Sequence, residues 1–149
     1  MAQVMFRGFV DDVLAGTAVS GADLRVLLVM TNTTCDTEHD AQTLSGFTTL
    51  DECDGTGYAR LNLASVAGAW DATNNRYEWD ADDGDMDGGG GSITASSRAV
   101  QGYVIYRYVD GTAANDVPWG YRDIGPYTLS GGSFDFTWNV EGIAQIIQS

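Results

Sequence analysis

The run Ala99–Asp110, Ala-Val-Gln-Gly-Tyr-Val-Ile-Tyr-Arg-Tyr-Val-Asp, constrains the fold more than any other stretch of the chain. It is dense in aromatic and β-branched residues, which fit a pleated surface. Counting by twos puts Val100, Val104, Tyr106 and Tyr108 on one face. Tyr103, Ile105 and Val109 fall on the other, interrupted only by Gln101 and Arg107. A strand apolar on both faces must be covered on both, which predicts a central position in a sheet. Just ahead of it lies Asp80–Ser92, where five aspartates run into four consecutive glycines.

The rest of the chain supplies further strand patterns. Leu24–Thr31 is an apolar run of strand length. Tyr58–Val66 alternates Ala59, Leu61 and Leu63 with Arg60 and Asn62, as a half-buried strand would. Ala69–Asp80 reads as a hairpin turning at Asn74 and Asn75. A two-residue loop would set Trp70 opposite Trp79, and a four-residue loop Asp71 opposite Arg76. Pro118–Ile124 follows, then Ser133–Val140, with Phe134, Phe136, Trp138 and Val140 sharing one face. The tail Ile143–Ile147 either continues that strand or adds an edge. Between these lies an irregular region, 32–57, where Asp36 reads as the cap of a helical turn over Thr37–Leu44 ended by Gly46.

One helix precedes the strands. Over residues 4–15, Phe6, Phe9, Val10, Val13 and Leu14 form a continuous apolar stripe, with Asp11 and Asp12 off it. Gly16 is placed to end the helix in a left-handed cap. Gly8 weakens it locally, so the helix needs docking against the body or a neighbouring subunit. The 149 residues suffice for a single domain, 1–149, that buries a sizeable core. About seven or eight short strands between glycine-rich turns predict an all-β fold. The expected architecture is an antiparallel β-sandwich or jelly roll with one N-terminal α-helix.

Charge excludes whole classes of partner. Twenty-one acids face seven arginines and no lysine, a net charge of −14. Binding nucleic acid through its phosphates needs a basic footprint, and so does an anionic membrane surface. No window approaches the roughly 18 apolar residues of a membrane span. The opening Met-Ala-Gln-Val-Met-Phe-Arg does not read as a secretory signal, so Cys35 and Cys53 are expected to be made reduced. If they pair later, the loop they close is of a length worth roughly 3 kcal/mol in the chain-entropy account.

Few residues carry recognisable chemistry. Asp83-Gly-Asp-Met-Asp-Gly88 matches the opening of a calcium loop, making Asp83, Asp85 and Asp87 the weak metal candidates. The match stops there: the twelfth position is Thr94 and neither flank is helical, so a solvated acidic loop is the favoured reading. Cys35, His39 and Cys53, with Asp36 or Asp40, have the residue types of a zinc site but not a standard spacing. His39 is the only histidine, and no serine sits in an elbow motif, so no catalytic set is assigned and no cofactor is expected. A small acidic hydrolase would require a cleft with two facing carboxylates. Exposed Trp and Tyr would suit a sugar-binding face, although four tryptophans in a β-fold are more often core.

The order of pieces resembles small virion proteins of tailed bacteriophages. The residues that carry the likeness are Val13-Leu14-Ala15-Gly16, Leu24-Arg-Val-Leu-Leu-Val29 and Gly55-Thr-Gly-Tyr58. To these are added the hairpin Asp71–Asp80 and the closing Phe136-Thr-Trp-Asn-Val-Glu-Gly-Ile143. The resemblance implies an all-β structural protein, foremost a capsid decoration (cement) protein on the outside of the head. It implies the major capsid protein as partner, self-association as a homotrimer, and a place on the capsid surface of a virion assembled in the host cytoplasm. Arg7 or Arg25 would then meet the shell. The alternative is a tail or host-recognition module that binds carbohydrate or depends on calcium.

Overall fold

Two strands apolar on both faces, residues 24–30 and 100–107, pair with each other and set the frame. The computed structural model describes residues 3–18, 20–86, 92–138 and 143–147. In chain order its elements are β1 (Gln3–Met5), α1 (Arg7–Ala15), β2 (Leu24–Met30), β3 (Leu61–Asn62), β4 (Ala67–Asp71), β5 (Arg76–Asp80), β6 (Gly84–Asp85), β7 (Val100–Arg107), β8 (Val117–Tyr127), β9 (Asp135–Phe136) and β10 (Ala144–Ile147). The fold is mostly β with one short helix. The large sheet runs β1-β8-β7-β2-β3, beside a sheet β10-β5-β4 and a pair β6-β9. All the pairings are antiparallel.

The central strand of the large sheet is β7, as its two-faced pattern requires. One core holds Leu24, Val26, Leu28, Tyr103 and Ile105. The other holds Leu27, Val29, Val104 and Tyr106. Trp79 of β5, Met86 and Leu129 cover the first face; Cys35, Ala41, Leu44 and Phe47 of the irregular region cover the second. Tyr103 and Tyr106 therefore point into opposite cores. Val100 does not share a face with Val104, as simple counting has it. The register slips between Val100 and Gly102 on both sides of β7, and Val100 joins the first core. A bulge inserts one residue and so exchanges faces beyond it. Gly102 is required there: a Cβ would sit 2.5 Å from the Arg122 carbonyl oxygen and from the Tyr121 ring.

A second bulge has a larger consequence. Ile105 pairs with Gly120 but Tyr106 with Pro118, leaving Trp119 as the extra residue of β8. Trp119 swings into the first core while Tyr121 stays in the second. There Trp119 meets Phe9 at 4.9 Å and Trp79 at 6.0 Å between ring centroids. Phe9 also touches Trp79 edge-on at 5.3 Å. Helix, hairpin and large sheet are thus joined through three rings.

Several sequence expectations change in detail. The N-terminal helix begins at Arg7, not residue 4, because Gln3–Met5 pairs with Gly120–Arg122 as an edge strand. Gly16 ends it at φ 70°, the left-handed cap expected. The Tyr58–Val66 strand shrinks to Leu61–Asn62, with Ala59 exposed. The turn over Thr37–Leu44 is replaced by a 3-10 turn at Leu44–Gly46. Asp36 caps nothing; instead Glu38 accepts from Thr34 Oγ1 at 2.7 Å and from the Thr48 N–H at 2.8 Å, pinning that region. The hairpin takes the four-residue loop, with Asp71 opposite Arg76 and Trp70 opposite Tyr77. Asp71 Oδ1 accepts the Thr73 N–H at 2.9 Å, and Asn75 takes the positive φ. The clean alternation of Ser133–Val140 yields only Asp135–Phe136 as strand; Asn139 and Val140 lie outside the described residues. The tail adds an edge to β5.

Gly8 has a packing reason. A Cβ there would lie 2.7 Å from Val117 Cγ1 and 2.8 Å from the Pro118 carbonyl oxygen. In an exposed helix Gly→Ala gains about 1 kcal/mol. Here Gly8→Ala is expected to lower stability by about 1–3 kcal/mol through overpacking against backbone. Urea denaturation reads the sign, and a raised midpoint would show that the helix rides outward at little cost.

Candidate functional site

The apolar stripe on α1 is divided between two sides. Phe6 and Phe9 are buried, while Val10 is 46% and Leu14 80% exposed. Asp12, expected off the stripe and in solvent, is instead buried. The cause lies far along the chain. Arg107, at the end of β7, forms a fork on Asp12 with Nε–Oδ2 and Nη2–Oδ1 distances of 2.7 Å. Trp119 Nε1 donates to Oδ2 at 2.8 Å, and Thr17 Oγ1 donates to Oδ1 at 2.8 Å. Burial pushes the Asp12 carboxyl up, but these hydrogen bonds outweigh it and hold the group below its ordinary range. The acid turned inward leaves Val10 and Leu14 turned outward. Met5 of β1 is also 49% exposed.

The helix N-terminus is tied down by the irregular region. The Arg7 N–H donates to the His39 carbonyl at 2.9 Å and the Gly8 N–H to Ala41 at 3.2 Å. Such carbonyls satisfy donors that a helix leaves without partners. Arg7 pairs with Asp11 at 3.4 Å, and Arg25 with Asp23 at 3.2 Å. Arg25 also lies over the Tyr108 ring, 3.3 Å from its centroid. Neither arginine expected to meet a shell is left uncommitted.

The metal candidates are dispersed. Cys35 belongs to one core and Cys53 to the other, so they form neither a disulfide nor, with His39, a zinc site. Burial pushes the Cys35 thiol up to about 12 and raises that of Cys53 as well. In the acidic stretch, Gly84 and Asp85 are extended and pair with Phe136 and Asp135 instead of curling as a calcium loop does. Asp83 Oδ1 accepts the Trp138 N–H at 2.8 Å. Asp87 lies outside the described residues. Among the described residues no three His, Cys, Asp or Glu are grouped to hold a metal.

Of the four tryptophans, Trp79 and Trp119 are core and Trp70 is half exposed. Trp138, partly buried, lines a half-open cavity of about 90 Å³ on the first face of the large sheet. Gln3, Tyr103, Gly120, Arg122 and Thr137 also line it. The β7–β8 register sets Tyr103 opposite Arg122 and Ile105 opposite Gly120, and β1 adds Gln3 opposite Arg122. Gly120 leaves the floor open: a Cβ there would meet only the Val4 carbonyl oxygen, at 3.3 Å. Burial raises the Tyr103 phenol, and the charge of Arg122 beside it partly offsets the rise. No spacing in the sequence marks this set, because strand register brings Tyr103 to Arg122 and long-range hydrogen bonds to Asp82 and Asp83 place Trp138.

Comparison with protein-family models, curated proteins and solved structures found no match to this chain.

Proposed function

We propose that this chain is a non-catalytic structural component of a tailed-phage virion, a decoration protein on the outer surface of the head. In this reading the major capsid protein is the partner, the working unit is a homotrimer, and the layers about β7 form an antiparallel sandwich. The resemblance in the order of sequence pieces motivates the proposal. The observation that carries it is the outward face of α1. A helix that gives its inner face to an ion pair and shows Val10 and Leu14 to solvent presents apolar surface for burial elsewhere. The high acidic charge keeps trimers apart from one another before assembly.

Purified particles test this directly. The chain is expected in the head fraction in many copies, and as a trimer by light scattering when isolated. Val10→Asp with Leu14→Asp should abolish binding to heads stripped of the protein while leaving the melting temperature within a few degrees, since both side chains are exposed. Particles whose protein inventory lacks the chain would refute the proposal.

A further inference from the structure

We infer that the half-open cavity between Arg122, Tyr103 and Trp138 is a binding site for one carboxylate-bearing sugar unit, of the uronic-acid class. The inference stands apart from the head-binding proposal, which concerns α1.

Charge provides the first argument. Arg7, Arg25, Arg60, Arg76, Arg98 and Arg107 each pair with a carboxylate. Among the described residues Arg122 alone of the seven arginines has no carboxylate partner. In a chain of net charge −14, acids are abundant enough to neutralise every cation. An arginine held apart from them, and exposed at the mouth of a cavity, is placed to meet an anion from outside. Its planar fork matches a carboxylate by two parallel hydrogen bonds. The negative field of the whole molecule penalises a dianion more than a monoanion, which favours carboxylate over phosphate.

The walls provide the second argument. Tyr103 and Trp138 meet edge to face, with centroids 6.1 Å apart at 76°. Trp138 is held in that position from the acidic stretch, its indole N–H donating to the Asp82 carbonyl at 3.1 Å and its main-chain N–H to Asp83. This gives Asp82 and Asp83 a structural task that needs no metal. Gln3 and Thr137 add an amide and a hydroxyl to the lining, and Gly120 keeps the floor clear. Aromatic walls with a few convergent polar groups are the usual make-up of a small-ligand site. A ring with apolar C–H edges, hydroxyls and one carboxylate satisfies all of them. The cavity is small, about 90 Å³, and half open, which suits a single ring held at one face.

The test is a titration of the ¹⁵N-labelled protein with sodium D-glucuronate, with D-glucose, acetate and inorganic phosphate as separate arms. Glucuronate is expected to shift the Arg122 Nε–H and Trp138 indole signals with a Kd of about 1 mM. Each control should bind at least about tenfold more weakly, because each lacks one of the two recognised features or carries excess charge. Arg122→Gln should weaken glucuronate by about tenfold or more at an unchanged melting temperature. Gly120→Ala, which puts a methyl group into the floor, should do the same if Arg122→Gln perturbs folding. Acetate or glucose binding as well as glucuronate would overturn the assignment. So would phosphate binding as tightly, glucuronate affinity indifferent to both substitutions, or an absence of shifts at Arg122 and Trp138.

Discussion

Asp12→Ala is expected to destabilise the protein by about 3–5 kcal/mol, enough to leave a domain of ordinary stability partly unfolded. The loss comes less from the missing contacts than from what remains. Arg107 would keep its charge at a largely covered site without its counter-ion, and the buried Trp119 N–H would lose its acceptor. Asp12→Asn should fall between, because the amide oxygen still accepts from Trp119 while the charge is gone. Replacing both partners, as in Asp12→Leu with Arg107→Met, should recover much of the loss by exchanging a desolvated pair for apolar packing. Urea denaturation of the four proteins gives the comparison. A single-variant loss under about 1 kcal/mol would mean that water reaches the pair.

The same group predicts a pH response of definite sign. The folded-state carboxyl titrates below its ordinary 3.8, since the donors from Arg107, Trp119 and Thr17 outweigh burial. A depressed pKa adds stability above the unfolded value and loses it as pH falls through the folded one. Wild-type stability should therefore fall as pH drops below about 4, while Asp12→Ala, already lacking the term, shows a shallower decline over that window.

Phe9→Ala is expected to cost about 3–5 kcal/mol as well, through the cavity left between helix and sheets. The ring is 1% exposed and touches both Trp79 and Trp119, so its removal opens a place where α1, the hairpin and β8 meet. Such edge-to-face contacts add to the burial term. Because Trp119 also donates to Asp12, the two substitutions should not be additive. A double variant no worse than Asp12→Ala would show that losing the ion pair already releases the helix. Summed losses would show that Phe9 docks it independently.

Much of the β architecture can be read locally. Leu24–Met30 and Val100–Arg107 carry apolar groups on both faces, and two cores are what such strands need. Gly16 and Asn75 sit where positive φ is required, a property of single residues. The acidic balance, a net charge of −14, is readable by counting whatever the fold. Other features depend on residues remote in sequence. Two bulges move Val100 and Trp119 to the opposite core from their period-two neighbours, and nothing within those strands announces a slipped register. The strand expected over Ser133–Val140 has the pattern, yet a partner strand pairs with it only at Asp135 and Phe136 among the described residues. Cys35 and Cys53 are near in sequence but separated by the large sheet.

The N-terminal helix and the Arg122 cavity show the division most plainly. Hydrophobic periodicity locates α1 and its stop, because both depend on side chains a few positions apart. It cannot say which way the helix turns. That depends on groups remote in sequence: Asp12 bonded to Arg107, 95 positions away, and Phe9 packed on Trp79 and Trp119. The grouping of Arg122 with Tyr103 and Trp138 likewise exists only once β7 and β8 are in register and Trp138 is bonded to Asp82 and Asp83. Local pattern sets which residues prefer burial; long-range pairing sets which of them receive it and which are left exposed.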